Sequence, residues 1–288
     1  MFLNSIKTAA LLAGLSGLML LMGHWIGGNN GVLFAFIFSL LLNFVTYFYS
    51  DKIVLAMYGA KPLDQERFQY IYDMVQDLCD NANMPMPKLW YLPTSMANAF
   101  ATGRNPQHAS VAVTQGILDL LDENELRGVL AHELSHIKNR DILIGTIAAT
   151  IATAIGYLAN MLQWAVIFGY GRNDRDSRSN GLAALVVAIV MPFAAMLIQL
   201  AVSRAREYQA DESGAHHCHD PLALASALEK LHDAGKHSRT QPSSPAQAAS
   251  ASLFIVYPFS GKGMMSLFST HPPMEKRIER LRKMAGMR

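Results

Sequence analysis

Charge is what this chain has least of. Asp, Glu, Lys and Arg make up 16% of its 288 residues, against about 25% in an average soluble domain. Cysteine is scarcer still, with only Cys79 and Cys218 present. That excludes a disulfide framework and fits a reducing compartment. No stripe of basic residues is interleaved with aromatics, and the formal net charge is only +2. Nucleic acid is therefore not an expected partner. Internal repeats are absent too.

The missing charge is concentrated. Ala9–Ile26, Val32–Tyr49, Ile142–Gly169 and Leu182–Val202 contain no Asp, Glu, Lys or Arg. Each is about as long as a helix that crosses a bilayer, ~17–25 residues. Lys7 ahead of the first gives it a likeness to a signal peptide. The second stretch follows almost at once, however, across "GGNNG" at Gly27–Gly31, so a transmembrane hairpin fits better. The third and fourth form a second hairpin around "GRNDRDSRSNG" at Gly171–Gly181, with a kink expected at Pro192. A transporter or channel would need ionisable residues facing one another inside such spans. His24 and Asn43 are polar exceptions near a span end and within a span, and both read as structural.

Between and after the hairpins the pattern changes. Lys61–Asn83 has helical periodicity, with Phe68, Ile71, Tyr72 and Val75 on one face. Three short alternating runs follow, Lys88–Leu92, Asn98–Thr102 and Ser110–Thr114, separated by turn-forming residues. They predict a small antiparallel sheet. Asp122, with Glu125 three residues on, predicts a capped helix start. That helix runs through Asp141 into the third apolar stretch without a break, Gly128 being its weak point. Lys236–Ser252 is a low-complexity loop, and "HPPMEKRIERLRKM" is a Pro-started amphipathic helix with Ile278 and Leu281 on its apolar face.

The sharpest signal is "HELSH". His132 and His136 are four residues apart, which on a helix stacks two imidazoles on one face. Both can then reach one zinc ion at about 2.0–2.1 Å. Glu133 lies beside them, placed to take a proton from activated water. A catalytic zinc needs a third protein ligand. Glu207 in "REYQAD" is the candidate, because it follows the fourth apolar stretch as the histidines precede the third. An antiparallel hairpin would bring those ends together. Asp211, one turn past Glu207, is placed to accept a hydrogen bond from a ligand imidazole. "HHCHD" at His216–Asp220 is dense in soft ligands, but adjacent residues on a helix diverge, so no physiological metal is expected there.

"HELSH", with "SRAREYQAD" downstream and "STHPPMEKRIERL" near the end, resembles the HtpX membrane metalloproteases, relatives of the type I CAAX prenyl protease. The resemblance covers nearly the whole chain. It implies a zinc endopeptidase of the cell inner membrane, multi-pass, with one Zn²⁺ per chain and its site facing the cytoplasm. It implies cleavage of misfolded or damaged membrane proteins in quality control under stress, and self-cleavage, for which copies would associate. It puts the third ligand on Glu207 with Asp211 behind it, and it suggests that His271 and Arg277 stabilise the transition state. The edge run Asn98, Ala99, Phe100, Ala101, Thr102 is the candidate for holding substrate by strand pairing.

The expected fold is therefore an α+β membrane protein, mostly helical, with four transmembrane helices in two hairpins. A cytoplasmic zincin-type domain carries the small antiparallel sheet. The expected division is residues 1–52 and 142–202 as the hairpins, with 53–141 and 203–288 as the two parts of the protease domain. Lys52, Lys61, Lys138 and Arg140 flank the spans and put that domain in the cytoplasm. Arg172, Arg175 and Arg178 in the outer turn run against the rule. Two alternatives stand beside this reading, a CAAX-type prenyl-protein endopeptidase and a non-catalytic zinc-stabilised scaffold. Glu133 speaks against the scaffold, since a structural site needs no base.

Overall fold

The structure, a computed structural model, describes residues 2–147, 204–237, 255 and 272–287. The third apolar stretch beyond residue 147, the fourth, the turn between them, Pro192, the loop beyond residue 237 and His271 lie outside the described residues.

Helix α1 spans Phe2–Met57 and is broken at Gly28, whose φ of 56° and ψ of −139° are non-helical. Glycine alone adopts that conformation without strain. Asn43 Nδ2 donates to Ser16 Oγ at 2.8 Å. In a straight helix these residues would stand roughly 40 Å apart at 1.5 Å per residue. The two arms therefore fold back on one another at the expected "GGNNG" turn. Among the described residues, one helix is long and apolar enough to cross a membrane, the arm Gly28–Met57. It carries outward-facing Phe34, Ile37, Leu41 and Phe44, all more than half exposed. Of the four expected spans the second lies on this arm and the first on the arm before Gly28.

Four strands follow: β1 (Lys61–Pro62), β2 (Lys88–Leu92), β3 (Ala99–Gly103) and β4 (Ala109–Thr114). Their order is β1-β2-β4-β3. The three expected runs are strands, within a residue of the boundaries read from sequence. The expectation of an antiparallel sheet needs correction, because β2 pairs β4 in parallel while β1/β2 and β3/β4 are antiparallel. After β2 the chain skips one position to the far edge, makes β3, and turns back to insert β4 in the gap. Thus β3 itself serves as the crossover that a parallel pair requires.

Alternate residues face opposite sides. Leu89, Ala99, Ala101, Val111 and Val113 join the main core. Leu92, Phe100 and Ala112 join Val54 and Leu55 from the end of α1 in a second core. The sheet is thus clamped between the apolar arm of α1 and a helical layer.

That layer holds α2 (Gln69–Ala82), α3 (Gln115–Leu120), α4 (Glu123–Lys138), α5 (Arg204–Cys218), α6 (Pro221–His237) and α7 (Met274–Met284). Helix α2 is shorter than the helix read at Lys61–Asn83. Lys61 and Pro62 pair with Tyr91 and Trp90 instead, at a sheet edge where proline is tolerated. Ile71, Val75 and Leu78 are fully buried, as the periodicity of α2 requires.

The start of α4 is capped in both directions. Glu125 N–H donates to Asp122 Oδ1 at 2.9 Å, and Asp122 N–H donates to Glu125 Oε2 at 3.0 Å. Its end is a second correction. The helix stops at Lys138, Arg140 takes a left-handed φ of 58°, and a new helix opens at 142–147.

Two glycines decide how closely the helices meet. A Cβ on Gly128 of α4 would lie 2.9 Å from the Leu224 nitrogen on α6. A Cβ on Gly214 of α5 would lie 2.9 Å from the His132 nitrogen on α4. The residue that looked weak from the standpoint of helix propensity is therefore what admits α6 to the core.

Candidate active site

Helix α4 presents His132 and His136 from successive turns, their Nε2 atoms 3.2 Å apart and their rings nearly perpendicular. The close contact at Gly214 lays α5 alongside, bringing in the carboxylate of Glu207. Its oxygens stand 3.8 Å from His132 Nε2 and 3.6 Å from His136 Nε2. One ligand atom from each residue falls within 4.8 Å of the others. The remote carboxylate and the paired imidazoles are thus brought together, as the spacing argument expected.

A carboxylate stands close to each of the other ring nitrogens. His132 Nδ1 is 3.0 Å from Asp211 Oδ1, and His136 Nδ1 is 3.1 Å from Asp141 Oδ2. A carboxylate at Nδ1 favours the proton there, so a neutral ring turns its Nε2 lone pair inward. The two Nε2 atoms face one another at hydrogen-bond distance, and a proton or a metal cation between them satisfies both. Two nitrogens at 2.0–2.1 Å from one tetrahedral ion would be about 3.3 Å apart, close to the separation seen. The donor set of two imidazoles and a carboxylate fits a metal with an open fourth position.

Arg277 of α7 backs this arrangement. It is fully buried. Its Nε and Nη2 donate to Asp211 at 2.8 and 2.7 Å, and its Nη1 donates to the Ile255 carbonyl at 3.2 Å. The same guanidinium reaches to 3.7 Å from Glu207 Oε2 and 3.5 Å from His132 Nε2. A buried cation is tolerated when it is paired and fully hydrogen-bonded in this way.

Glu133 points from α4 toward the sheet. Its Oε2 accepts from the Ala101 N–H at 2.9 Å. Strand β3 is an edge of the sheet, and the Asn98–Thr114 backbone bond places its even-numbered residues in the ladder with β4. The main-chain groups of Ala99, Ala101 and Gly103 therefore face away from β4. Asn98 Oδ1 accepts from Ala99 N–H at 2.9 Å, while its buried Nδ2 has no partner among the described residues. The Phe100 side chain is committed to the second core, and Thr102 Oγ1 is 3.0 Å from Thr146 Oγ1.

The electrostatics follow from burial and neighbours. Burial pushes the Glu133 carboxyl up to about 8, with Glu207 adding to the rise against His136, the Ala101 N–H and Arg277. For His136, burial works downward, but Asp141, Glu207 and Glu133 raise it to about 9. Burial prevails at His132, which is lowered despite Asp211. At Asp211, burial is overridden by Arg277 and His132, which hold its carboxyl far below the usual range.

Sequence reading missed Asp141. In the sequence it is the last charged residue before an apolar stretch, whereas the turn at Asn139–Arg140 folds it back so that its N–H meets the His136 carbonyl at 3.0 Å. A positive φ at Arg140 leaves no pattern in the sequence. In "HHCHD", Cys218 Sγ is turned to the Ala215 and Asp220 carbonyls. The only triad of metal-binding groups among the described residues is His132, His136 and Glu207.

Comparison with known proteins agrees with this geometry. The model of peptidase family M48 matches residues 65–285. A protease HtpX homolog of Syntrophobacter fumaroxidans is 51% identical over 280 residues, covering 96% of this chain and 98% of that one. One from Thermococcus kodakarensis is 50% identical over 280 residues, covering 97% and 96%. The crystal structure of S. mikatae Ste24p shares the fold at a TM-score of 0.52 and 17% identity. That likeness covers 97% of this chain, which spans 65% of the Ste24p chain.

Proposed function

The chain belongs to peptidase family M48 and is a metalloprotease, and from that premise we propose a zinc-dependent endopeptidase of the inner membrane. Its site faces the cytoplasm, and it cleaves misfolded or damaged membrane proteins and copies of itself. The observation that carries the reading is the position of Glu133. Its carboxylate lies between the His132–His136–Glu207 cluster and the open edge of β3.

His132, His136 and Glu207 would hold one zinc ion. When bound, such an ion lowers the pKa of water from 15.7 toward about 7 and polarises a carbonyl oxygen. Glu133 takes the proton from the attacking water and later gives it to the leaving amine. The Ala101 N–H fixes Oε2 and leaves Oε1 for that proton. Asp211 and Asp141 keep the imidazoles turned with Nε2 inward. Arg277 has its fork engaged with Asp211, which supports a positioning role. His271 keeps the transition-state role that the resemblance implies.

A substrate peptide would add to the free edge of β3. Within Asn98–Thr102, the outward N–H groups of Ala99 and Ala101 are taken by Asn98 Oδ1 and Glu133 Oε2, which leaves the unpartnered Nδ2 of Asn98 as a donor for a peptide carbonyl. The exposed apolar arm Gly28–Met57 tethers this site at a bilayer surface, which supports membrane proteins as substrates.

The test compares purified full-length protein with Glu133→Gln on a membrane-protein substrate and on a prenylated CAAX peptide, with and without a chelator. Chelator-sensitive cleavage of the membrane protein by the wild type alone is expected. Equal cleavage by both proteins overturns the hydrolase mechanism. Cleavage confined to the prenylated peptide overturns the substrate class.

A further inference from the structure

Away from the active site, a cleft of about 450 Å³ opens where α1 meets the β2 and β4 side of the sheet. One wall is the end of the membrane arm, with Phe44, Tyr47, Phe48 and Tyr49. Lys52, Lys88 and Arg104 also line the cleft. Lys52 Nζ lies 5.1 Å from the Tyr49 ring centre, and Arg104 Cζ lies 5.1 Å from that of Phe48. None of these three cations forms an ion pair among the described residues. One acid, Asp51, also lines the cleft.

The level of the cleft along α1 decides what it can hold. The arm Gly28–Met57 is about 45 Å long at 1.5 Å per residue, more than the ~30 Å apolar core of a bilayer. Its far end, Val54 and Leu55, is buried against the sheet. The exposed rings of Phe44 to Tyr49 therefore fall at the boundary between lipid and water, where tyrosines anchor and basic side chains meet headgroups. An acyl chain has aromatic side chains to lie along, and three cations without an ion pair among the described residues line the same cleft for its phosphate. We propose that this cleft binds the headgroup of an anionic membrane phospholipid and so sets how the protease domain sits on the bilayer. The inference rests on the membrane reading of α1 and is independent of the catalytic assignment.

The experiment uses full-length Glu133→Gln, which cannot cleave itself, reconstituted into nanodiscs. The probe is spin-labelled phosphatidylglycerol, compared with spin-labelled phosphatidylcholine. Preferential immobilisation of the anionic lipid is expected. Adding Lys88→Ala and Arg104→Ala should cut that preference roughly tenfold. Removing Lys276 and Lys283 instead, which are exposed on α7, lowers the net charge equally and should leave the preference intact. Millimolar inorganic phosphate should not compete. Equal immobilisation of both lipids, an equal loss with the α7 pair, or displacement by free phosphate would each overturn the proposal. Failure to enter nanodiscs at all would instead refute the membrane reading of α1.

Discussion

Arg277 grips Asp211 with two parallel hydrogen bonds, of 2.8 and 2.7 Å, in a place with no solvent exposure for the guanidinium. Asp211 in turn stands 3.0 Å from His132 Nδ1. The chain of contacts runs from α7 through α5 to α4, so a residue on the last helix sets the orientation of a ring on the fourth. Arg277→Lys keeps the charge but loses the fork. The expected result is a folded protein whose zinc affinity, measured by chelator competition, falls roughly 10- to 100-fold. Arg277→Met leaves Asp211 buried and unpaired and should destabilise by about 3–5 kcal/mol. Unchanged metal affinity in Arg277→Lys would remove the positioning role.

Asp141 should behave as the equivalent support for His136. Asp141→Asn, which keeps the shape of this buried side chain, is expected to lower zinc affinity or kcat/KM by about 10- to 100-fold with a smaller effect on thermal stability. A variant that loses stability but binds zinc normally would mark the contact as structural only.

How far these two carboxylates were legible differs, and the reason is geometric. Asp211 is one helical turn from Glu207, so period alone puts both on the same face of α5. Asp141 reaches His136 only because Arg140 adopts a left-handed backbone. The sheet shows the same divide. Alternation and turn residues located β2, β3 and β4, but the β1-β2-β4-β3 order depends on which strand fills the gap. That is settled by packing over long range. Glu207 was within reach because it follows one apolar stretch as His132 and His136 precede another. The 3.2 Å approach of the imidazoles was within reach because the i, i+4 spacing is a property of every α-helix.

Gly214→Ala is expected to act on the site from outside it. The added Cβ would lie 2.9 Å from the His132 nitrogen, and the obstacle is backbone that has nowhere to go. Helix α5 must move off α4, carrying Glu207 and Asp211 with it. Overpacking of this kind costs about 1–3 kcal/mol, and zinc binding should fall along with stability. Gly128→Ala makes an equally close contact with Leu224 but lies a turn short of the histidines. It should cost similar stability and spare zinc affinity. Equal losses of zinc in the two variants would show that helix spacing does not govern the site.

Glu125 links stability to pH. It is 4% exposed, though Lys230, which donates to it at 2.6 Å, is largely in solvent. Burial raises its pKa, but bonds from Lys230, Ser226 and the Asp122 backbone outweigh that and hold it below its ordinary value. A depressed carboxyl contributes stability above its unfolded pKa, near 4.3, and loses it as pH falls through the folded value. The wild type should therefore lose stability relative to Glu125→Gln as pH drops below about 4.3. Asp122→Ala, which removes the other half of the capping box, should cost about 1 kcal/mol at neutral pH. Thermal unfolding in detergent across pH 3–7 is the measurement. A pH-independent difference between wild type and Glu125→Gln would refute the linkage.

The Ser16–Asn43 hydrogen bond makes the α1 hairpin testable without a structure. The two residues sit about equally far on either side of the Gly28 break, and a 2.8 Å bond between them requires the arms to be antiparallel. Ser16→Cys with Asn43→Cys should therefore cross-link within one chain by a short bis-maleimide, as seen by intact mass, and native Cys79 and Cys218 are buried. Had Phe2–Met57 been one continuous helix, the sites would be roughly 40 Å apart and only links between chains would form. Asn43→Leu alone should cost little, about 0.6 kcal/mol as for other hydrogen bonds between membrane helices. The Ser16–Asn43 contact is thus expected to orient the arms more than to hold them together. A large loss of stability in Asn43→Leu would reverse that ranking and make the hydrogen bond the principal clasp.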